Sequence, residues 1–146
     1  MELLYKSVIS EELKELEKSL LSSISSDIAL ATEISNYLLL SGGKRLRPAL
    51  CILVSKALEY DGEDLIKLAS SIELLHTATL IHDDVVDESL FRRGKESIHS
   101  KWDNAHGVLV GDFVYSKAFQ LMASFNNPEI IRTCLLYTSD AADDVI

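Results

Sequence analysis

The sequence predicts an all-α fold, an antiparallel bundle of helices, and three observations support this prediction. Apolar residues recur every three or four positions through most of the 146-residue chain, which is the period of an amphipathic helix. No segment alternates apolar and polar residues between hairpin turns, as a half-buried strand would. The glycines and prolines fall mainly between the periodic segments, where they end helices. We therefore expect helices packed side by side in one domain.

The first two predicted helices occupy the N-terminal third of the chain. Ser10-Glu11-Glu12 is typical of a helix start, because a serine N-cap precedes acidic residues in the first turn. Leucines follow this start at helical spacing as far as Leu21. A second periodic segment runs from Ile28 to Ser41, where two glycines can end a helix.

Three further helices are predicted beyond these glycines. Pro48 favours the first turn of a helix that continues to Glu59. The longest segment, Leu65 to about Asp87, contains neither glycine nor proline and should be a mostly buried helix. The polar residues 88–100 indicate a loop, and helical periodicity resumes from Lys101 to Phe125.

Composition and charge exclude several classes of protein. The formal net charge of −9 argues against a sequence-independent electrostatic grip on nucleic acid or anionic lipid. The apolar runs are far shorter than the ~20 residues that cross a bilayer, so we predict no transmembrane segment. Cys51 and Cys134 lack metal-type spacing and no signal-like segment precedes them, which indicates two reduced thiols in a cytoplasmic protein.

An acidic cluster at the end of the longest helix predicts a metal site. Asp83, Asp84 and Asp87 are three or four residues apart, so their carboxylates share one side of a helix and repel one another. A hard cation such as Mg²⁺ relieves this repulsion, and it commonly binds through one or two carboxylates together with substrate phosphates. The cluster therefore predicts both Mg²⁺ and an anionic substrate.

Two basic clusters predict phosphate binding. In the segment Gly42-Gly43-Lys44-Arg45-Leu46-Arg47-Pro48, three cations follow two glycines just before a helix; the spacing is not that of a Walker A loop. Lysine offers a point charge and arginine a bidentate fork, which together suit a diphosphate. In helical projection His76 lies within about 20° of both Asp83 and Asp87. Arg92 and Arg93 follow the acidic cluster and suggest a second phosphate clamp.

Together these residues resemble the trans-isoprenyl diphosphate synthase (polyprenyl synthetase) family. Residues 75–82 and 110–115 resemble in particular its long-chain members of the octaprenyl type. The resemblance rests on residues 42–48, His76, the Asp-Asp-Val-Val-Asp motif at 83–87 and residues 92–95, and covers about residues 1–132. It implies the isoprenoid synthase fold, Mg²⁺-assisted ionisation of an allylic diphosphate, and condensation with isopentenyl diphosphate. It also implies a homodimer for a full-length member.

The resemblance assigns roles to individual residues. Isopentenyl diphosphate would be held by Lys44, Arg47, His76 and Arg93. Asp83, Asp84 and Asp87 would bind Mg²⁺, and Arg92 would contact the allylic diphosphate. Ala78 and Thr79 occupy the positions that limit product length in the family, and their small side chains favour a long product.

The family pattern is incomplete in this chain. Members carry a second aspartate-rich motif on a later helix, which this sequence lacks, so we expect the 146-residue chain by itself to be inactive, prone to aggregation, or both. Residues 133–146 change abruptly in composition and are expected to be a non-native, frayed tail, so that Asp140, Asp143 and Asp144 would not form a second site.

Three other functions remain open from the sequence. A non-catalytic helical subunit of a heteromeric prenyl synthase need not keep the acidic and basic motifs, which are intact here. A class I terpene cyclase shares an aspartate-rich motif but has no isopentenyl diphosphate to hold at residues 42–48. An acidic helical interaction module leaves both basic clusters unexplained.

Overall fold

The computed structural model describes the backbone of residues 4–143 and the side chains of residues 4–136, and it confirms the all-α class. The helices are α1 (Leu4–Val8), α2 (Ser10–Ser23), α3 (Ala29–Leu40), α4 (Leu46–Ala57), α5 (Leu65–Val86), α6 (Ile98–Lys101), α7 (Asn104–Ala123) and α8 (Pro128–Asp143). Two short strands, β1 (Phe91–Arg92) and β2 (Lys95–Glu96), form an antiparallel hairpin.

Helix α5 is the central element of the core. It packs most extensively against α7 and also contacts α4 and α2. Leu74 and Ile81 of α5 and Met122 of α7 are fully or almost fully buried, and α2 contributes Leu16 and Leu20 to the same cluster. The functional side chains predicted on α5 are therefore carried by the most firmly packed helix of the molecule.

Two differences from the predicted helix bounds matter for function. Helix α4 begins at Leu46 rather than Pro48, so Arg47 lies in its first turn; proline tolerates this position because the first turn needs no backbone N–H donor from it. Helix α8 runs to Asp143, through residues for which the sequence predicts a frayed end. No glycine or proline interrupts it after Pro128. Asp140, Asp143 and Asp144 lie outside the residues whose side chains are described.

The predicted loop at residues 88–100 contains the hairpin and α6. Phe91 pairs with Glu96 and Arg92 with Lys95, which leaves Arg93 and Gly94 as a two-residue turn. Their φ angles are 52° and 77°; positive values at both positions are typical of a type I′ turn. Patterning could not predict strands this short, since a two-residue strand has no period to detect.

One side of α4 presents an apolar stripe to the surface, formed by Leu46, Leu50, Val54 and the following Leu58. Their spacing of four residues places them on one helical face. Within residues 4–143, none of the helices has both the length and the apolar character required to cross a membrane.

Candidate active site

An open groove lies at the N-terminus of α4, between the loop that precedes this helix and the middle of α5. Its volume is about 410 Å³, and it is lined by Gly43, Lys44, Arg45, Leu46, Arg47, Glu73, His76 and Arg93. The backbone N–H groups of a helix N-terminus carry partial positive charge and favour anions. Two sequence motifs that are about 30 residues apart, the glycine-rich basic segment and His76, thus meet in one groove.

Lys44 and Arg47 are two of the exposed cations that line this groove. The NH1 group of Arg47 lies 3.2 Å from Nε2 of His76. Because a guanidinium group is only a donor, the ring nitrogen accepts this hydrogen bond and His76 is in its neutral form. The structure therefore brings together Lys44, Arg47 and His76, as the sequence predicts.

The environment of His76 lowers its pKa from 6.5 to about 4. Burial of the ring is the largest cause, and the positive charges of Arg47, Arg93 and Arg92 add to it. Since the unfolded chain binds this proton more tightly, the native state loses stability as the pH falls from about 6.5 towards 4, and its full stability is present above that window.

We expect a bound diphosphate to reverse this shift, because its negative charge offsets the arginines that disfavour the imidazolium form. In an NMR titration of the histidine ring signals, His76 should titrate near pH 4 in the free chain and at a higher pH when inorganic pyrophosphate is added. His106, which lies on α7 and does not line the groove, serves as the internal control. An unchanged His76 midpoint at saturating pyrophosphate would show that the anion does not bind beside this ring.

The hairpin turn closes one end of the groove. Arg93, at the turn, donates a hydrogen bond to the carbonyl oxygen of Gly42. A Cβ atom on Gly43 would lie 2.9 Å from NH1 of Arg93, so the absence of a side chain there permits this approach. The hairpin is itself anchored on α3 by the hydroxyl of Tyr37, which donates to the carbonyl of Glu96 over 2.9 Å. Arg93 thus joins Lys44, Arg47 and His76.

The structure places the three aspartates, all predicted to bind Mg²⁺, in two different environments. Asp84 is 4% exposed and accepts two hydrogen bonds from Arg92, at 2.8 Å from Nε and 2.7 Å from NH2. The hydrogen bond to Asp84 raises the pKa of Arg92. The hairpin folds back onto α5, so Asp84, a predicted metal ligand, and Arg92, a predicted diphosphate ligand, form an ion pair with each other. The exposed Asp83 and Asp87 remain on one face of the helix end.

The exposed pair fits a divalent cation only in part. Asp83 and Asp87 lie one helical turn apart, and among the described residues neither forms an ion pair. Within the same part of the chain, no group of three or more histidine, cysteine or carboxylate side chains could hold a metal ion. Two carboxylates are nevertheless a usual protein contribution to Mg²⁺ binding when substrate phosphates complete the coordination.

The two predicted length-determining residues differ in their surroundings. Thr79 is half-buried, and its hydroxyl donates to the carbonyl of His76 over 2.6 Å. Ala78 is fully buried in the core. His82, which the sequence places outside the site, contacts α7 instead: its Nε2 atom lies 3.2 Å from the carbonyl oxygen of Val108 and 3.3 Å from Oδ1 of Asp112. Gly111 permits this contact, since a Cβ there would overlap the ring.

Sequence reasoning missed Glu73, which lines the groove, and grouped Arg45 with the phosphate-binding cations. Arg45 belongs to the basic segment but its side chain turns inward, and Glu73 on α5 pairs with it at 3.1 Å. One signal could have revealed Glu73, which is the only acidic residue between Leu68 and Ile81. A lone carboxylate in a buried helix requires a partner.

The chain has clear relatives. The family model described as Polyprenyl synthetase matches residues 28–142. The chain is 40% identical over 123 residues to an octaprenyl diphosphate synthase of Escherichia coli, an alignment that covers 84% of this chain and 38% of that protein.

Solved structures agree with this similarity. A decaprenyl diphosphate synthase of Rhodobacter capsulatus matches with a TM-score of 0.90 and 35% identity, covering 95% of this chain and 43% of that one. A polyprenyl synthase of Caulobacter crescentus, solved with calcium and isoprenyl diphosphate, matches with a TM-score of 0.87 and 33% identity, covering 94% and 43%. The chain spans about two fifths of the length of these relatives. By sequence and by fold, it belongs to the polyprenyl synthetase family.

Proposed function

We propose that this chain forms one wall of the active site of a polyprenyl diphosphate synthase, which condenses an allylic diphosphate with isopentenyl diphosphate to give a long-chain all-trans product. The observation that carries the proposal is the groove in which Lys44, Arg47, His76 and Arg93 converge. Three cations with few competing carboxylates favour a highly charged anion such as a diphosphate.

In the proposed reaction, the bond between the allylic carbon and its diphosphate breaks, and the diphosphate leaves with the electron pair. The double bond of isopentenyl diphosphate then attacks the allylic cation, and loss of a proton from the adduct restores a double bond. The groove residues contribute by holding the diphosphate of isopentenyl diphosphate in a fixed place, since orientation of two reactants removes much of the entropic barrier.

The second substrate is assigned to the end of α5. Asp83 and Asp87 would hold Mg²⁺ there, as the two exposed carboxylates of the cluster. When bound, Mg²⁺ supplies positive charge that stabilises a departing diphosphate. We assign Asp84 a different task, which is to hold Arg92 by two hydrogen bonds at the entrance to this region. Asp84 accepts from Nε and NH2 of Arg92, so the NH1 group would be the one that donates to the allylic diphosphate.

Product length, assembly and location complete the proposal. The small side chains of Ala78 and Thr79 favour a long product by not blocking the space beside α5, in line with the long-chain relatives. We propose a homodimeric, cytoplasmic enzyme for the full-length protein, which light scattering and cell fractionation can check.

The 146-residue chain should form no product from Mg²⁺, farnesyl diphosphate and isopentenyl diphosphate.

Binding of isopentenyl diphosphate to the 146-residue chain tests the groove directly. In isothermal titration calorimetry, Lys44→Met should weaken binding by roughly 10- to 100-fold, because a hydrogen bond to a charged group contributes about 1.5–3 kcal/mol. Lys14→Met is the matched control, since Lys14 lies on the exposed face of α2 and pairs only with Glu11 among the described residues. Equal affinities of Lys44→Met and Lys14→Met would contradict the assignment.

A class I terpene cyclase is the nearest rival among enzymes. A cyclase would have no use for a second diphosphate site, so the same titration separates the two functions. Binding of isopentenyl diphosphate that depends on Lys44 favours condensation.

A further inference from the structure

We infer that Arg45 is a positioning residue, which holds the diphosphate-binding loop in register with α5 and does not itself bind phosphate. This inference rests on the proposed function and adds a role to it. Arg45 stands between Lys44 and Arg47 in the basic segment, yet it differs from both in burial. Its side chain is 10% exposed, whereas Lys44 and Arg47 are exposed.

The guanidinium group of Arg45 joins three helices. Its Nε and NH2 groups donate to the two carboxylate oxygens of Glu17 on α2, at 2.7 and 3.2 Å. NH1 donates to Glu73 on α5 at 3.1 Å, and NH2 also donates to the carbonyl of Leu39 at the end of α3 at 3.0 Å. These four contacts use most of the donors that an arginine offers, so few remain for a phosphate.

The charges around Arg45 lead to the same conclusion. Glu17 and Glu73 together carry more negative charge than Arg45 carries positive charge, so this trio adds no net attraction for an anion. Burial lowers the pKa of Arg45, but the hydrogen bonds and charges of Glu17 and Glu73 outweigh it and leave the pKa above its ordinary value. Burial raises the pKa of Glu73, and the charge of Arg45 opposes this rise. The ion pairs therefore satisfy buried groups within the fold.

The backbone at Arg45 shows why the loop needs to be held. Its φ angle of 52° and ψ angle of 35° lie in the left-handed region, which costs roughly 1–2 kcal/mol for a residue with a side chain. The conformation turns the chain into α4. Contacts with other elements stabilise this backbone conformation. The ion pairs fix the Arg45 side chain, and the hydroxyl of Tyr5 donates to the carbonyl of Lys44 over 3.1 Å.

The location of Glu73 connects Arg45 to the binding residues. Glu73 lies one helical turn before His76 on α5, and its side chain is 5% exposed. Through Glu73, Arg45 thus fixes the loop that carries Lys44 and Arg47 relative to the helix that carries His76. Without this link the loop could shift along α5. The four proposed diphosphate ligands would then no longer converge on one site; they are Lys44, Arg47, His76 and Arg93.

Inorganic pyrophosphate titrated into the 146-residue chain by calorimetry tests this role. Arg45→Met should weaken binding roughly tenfold, because displacement of binding groups by about 1 Å is enough for losses of this order. Circular dichroism at the titration temperature selects variants that are folded. Arg132→Met is the matched control, since Arg132 is 71% exposed and pairs with Glu129 within its own helix.

Two further variants keep the test decisive. Glu17→Gln weakens the hold of α2 on the Arg45 side chain without leaving a buried cation unpaired, because Glu17 is only half-buried and Glu73 remains. A less firmly held Arg45 should fix the loop less well, so this variant should show a smaller loss in the same direction even if Arg45→Met fails to fold. Arg45→Lys keeps the charge but not the fork, and should recover only part of the affinity.

The outcomes separate this inference from the proposed function. If Lys44→Met loses affinity while folded Arg45→Met and Glu17→Gln bind as the unsubstituted chain does, Arg45 has a purely structural role and the inference is overturned. If Lys44→Met also binds normally, or the unsubstituted chain does not bind pyrophosphate, the groove is not a diphosphate site and both proposals are overturned.

Discussion

A hybrid enzyme that carries Asp83→Asn and Asp87→Asn should lose polyprenyl diphosphate synthesis by roughly 10³-fold, the upper range for loss of a preorganised charge-stabilising group. In this hybrid, residues 4–132 replace the corresponding segment of the E. coli octaprenyl diphosphate synthase, which is 40% identical over 123 residues. The hybrid supplies the part of the family's length that the 146-residue chain does not span. Incorporation of labelled isopentenyl diphosphate into long-chain product measures the activity.

The physical reason for this large effect is the change of ligand. Asparagine has nearly the size of aspartate but no charge, so the pair could no longer attract Mg²⁺ and the diphosphate would leave without compensation of its charge. Folding should not suffer. In the free protein the two carboxylates repel each other across one helical turn, by about 0.2–0.5 kcal/mol, so their neutralisation removes an unfavourable contact.

A matched control is available near the other end of α5. Asp61→Asn with Asp64→Asn makes the same change of charge at two exposed positions and should leave synthesis unchanged. The proposal for the metal site would be contradicted if the Asp83 and Asp87 double variant kept the activity of the unsubstituted hybrid. It would also be contradicted if both double variants lost activity to the same degree, since the loss would then follow net charge and not position.

Local pattern was sufficient to predict part of this site. The period of 3.6 residues per turn alone places His76, Asp83 and Asp87 along one side of a helix. In the structure His76 and Asp83 lie on α5, and Asp87 is the residue that caps its end. Helix class, order and approximate bounds also follow from periodicity and from glycine and proline positions. These features depend on residues close together in the sequence.

Contacts between distant segments could not be predicted in the same way. Arg45 reaches Glu17 and Glu73, each 28 residues away along the chain, and residue type alone does not distinguish it from Arg47. Similarly, the pairing of Arg92 with Asp84 depends on the hairpin folding back onto α5. Pairing and burial decided which charged residues are free to bind a ligand, and both depend on tertiary packing.

The packing of α5 leads to the prediction with the largest effect on stability. Leu74 is fully buried in the core, whereas Leu50 on α4 is 63% exposed, so Leu→Ala at these two positions compares the same chemical change in two environments. We expect Leu74→Ala to lower the free energy of unfolding by about 2–5 kcal/mol, because it removes buried methyl groups and leaves a cavity. Leu50→Ala should change it by no more than about 0.5 kcal/mol.

Urea unfolding followed by circular dichroism measures both values. Leu74 lies on α5 between Glu73 and His76, two residues that line the groove, so its loss should also reduce pyrophosphate binding at urea concentrations where the unsubstituted chain is still folded. Equal unfolding midpoints for the two variants would mean that α5 is not the centre of the core. The groove would then need another explanation for its shape, because Glu73 and His76 can hold their places only on a helix that is itself fixed by packing.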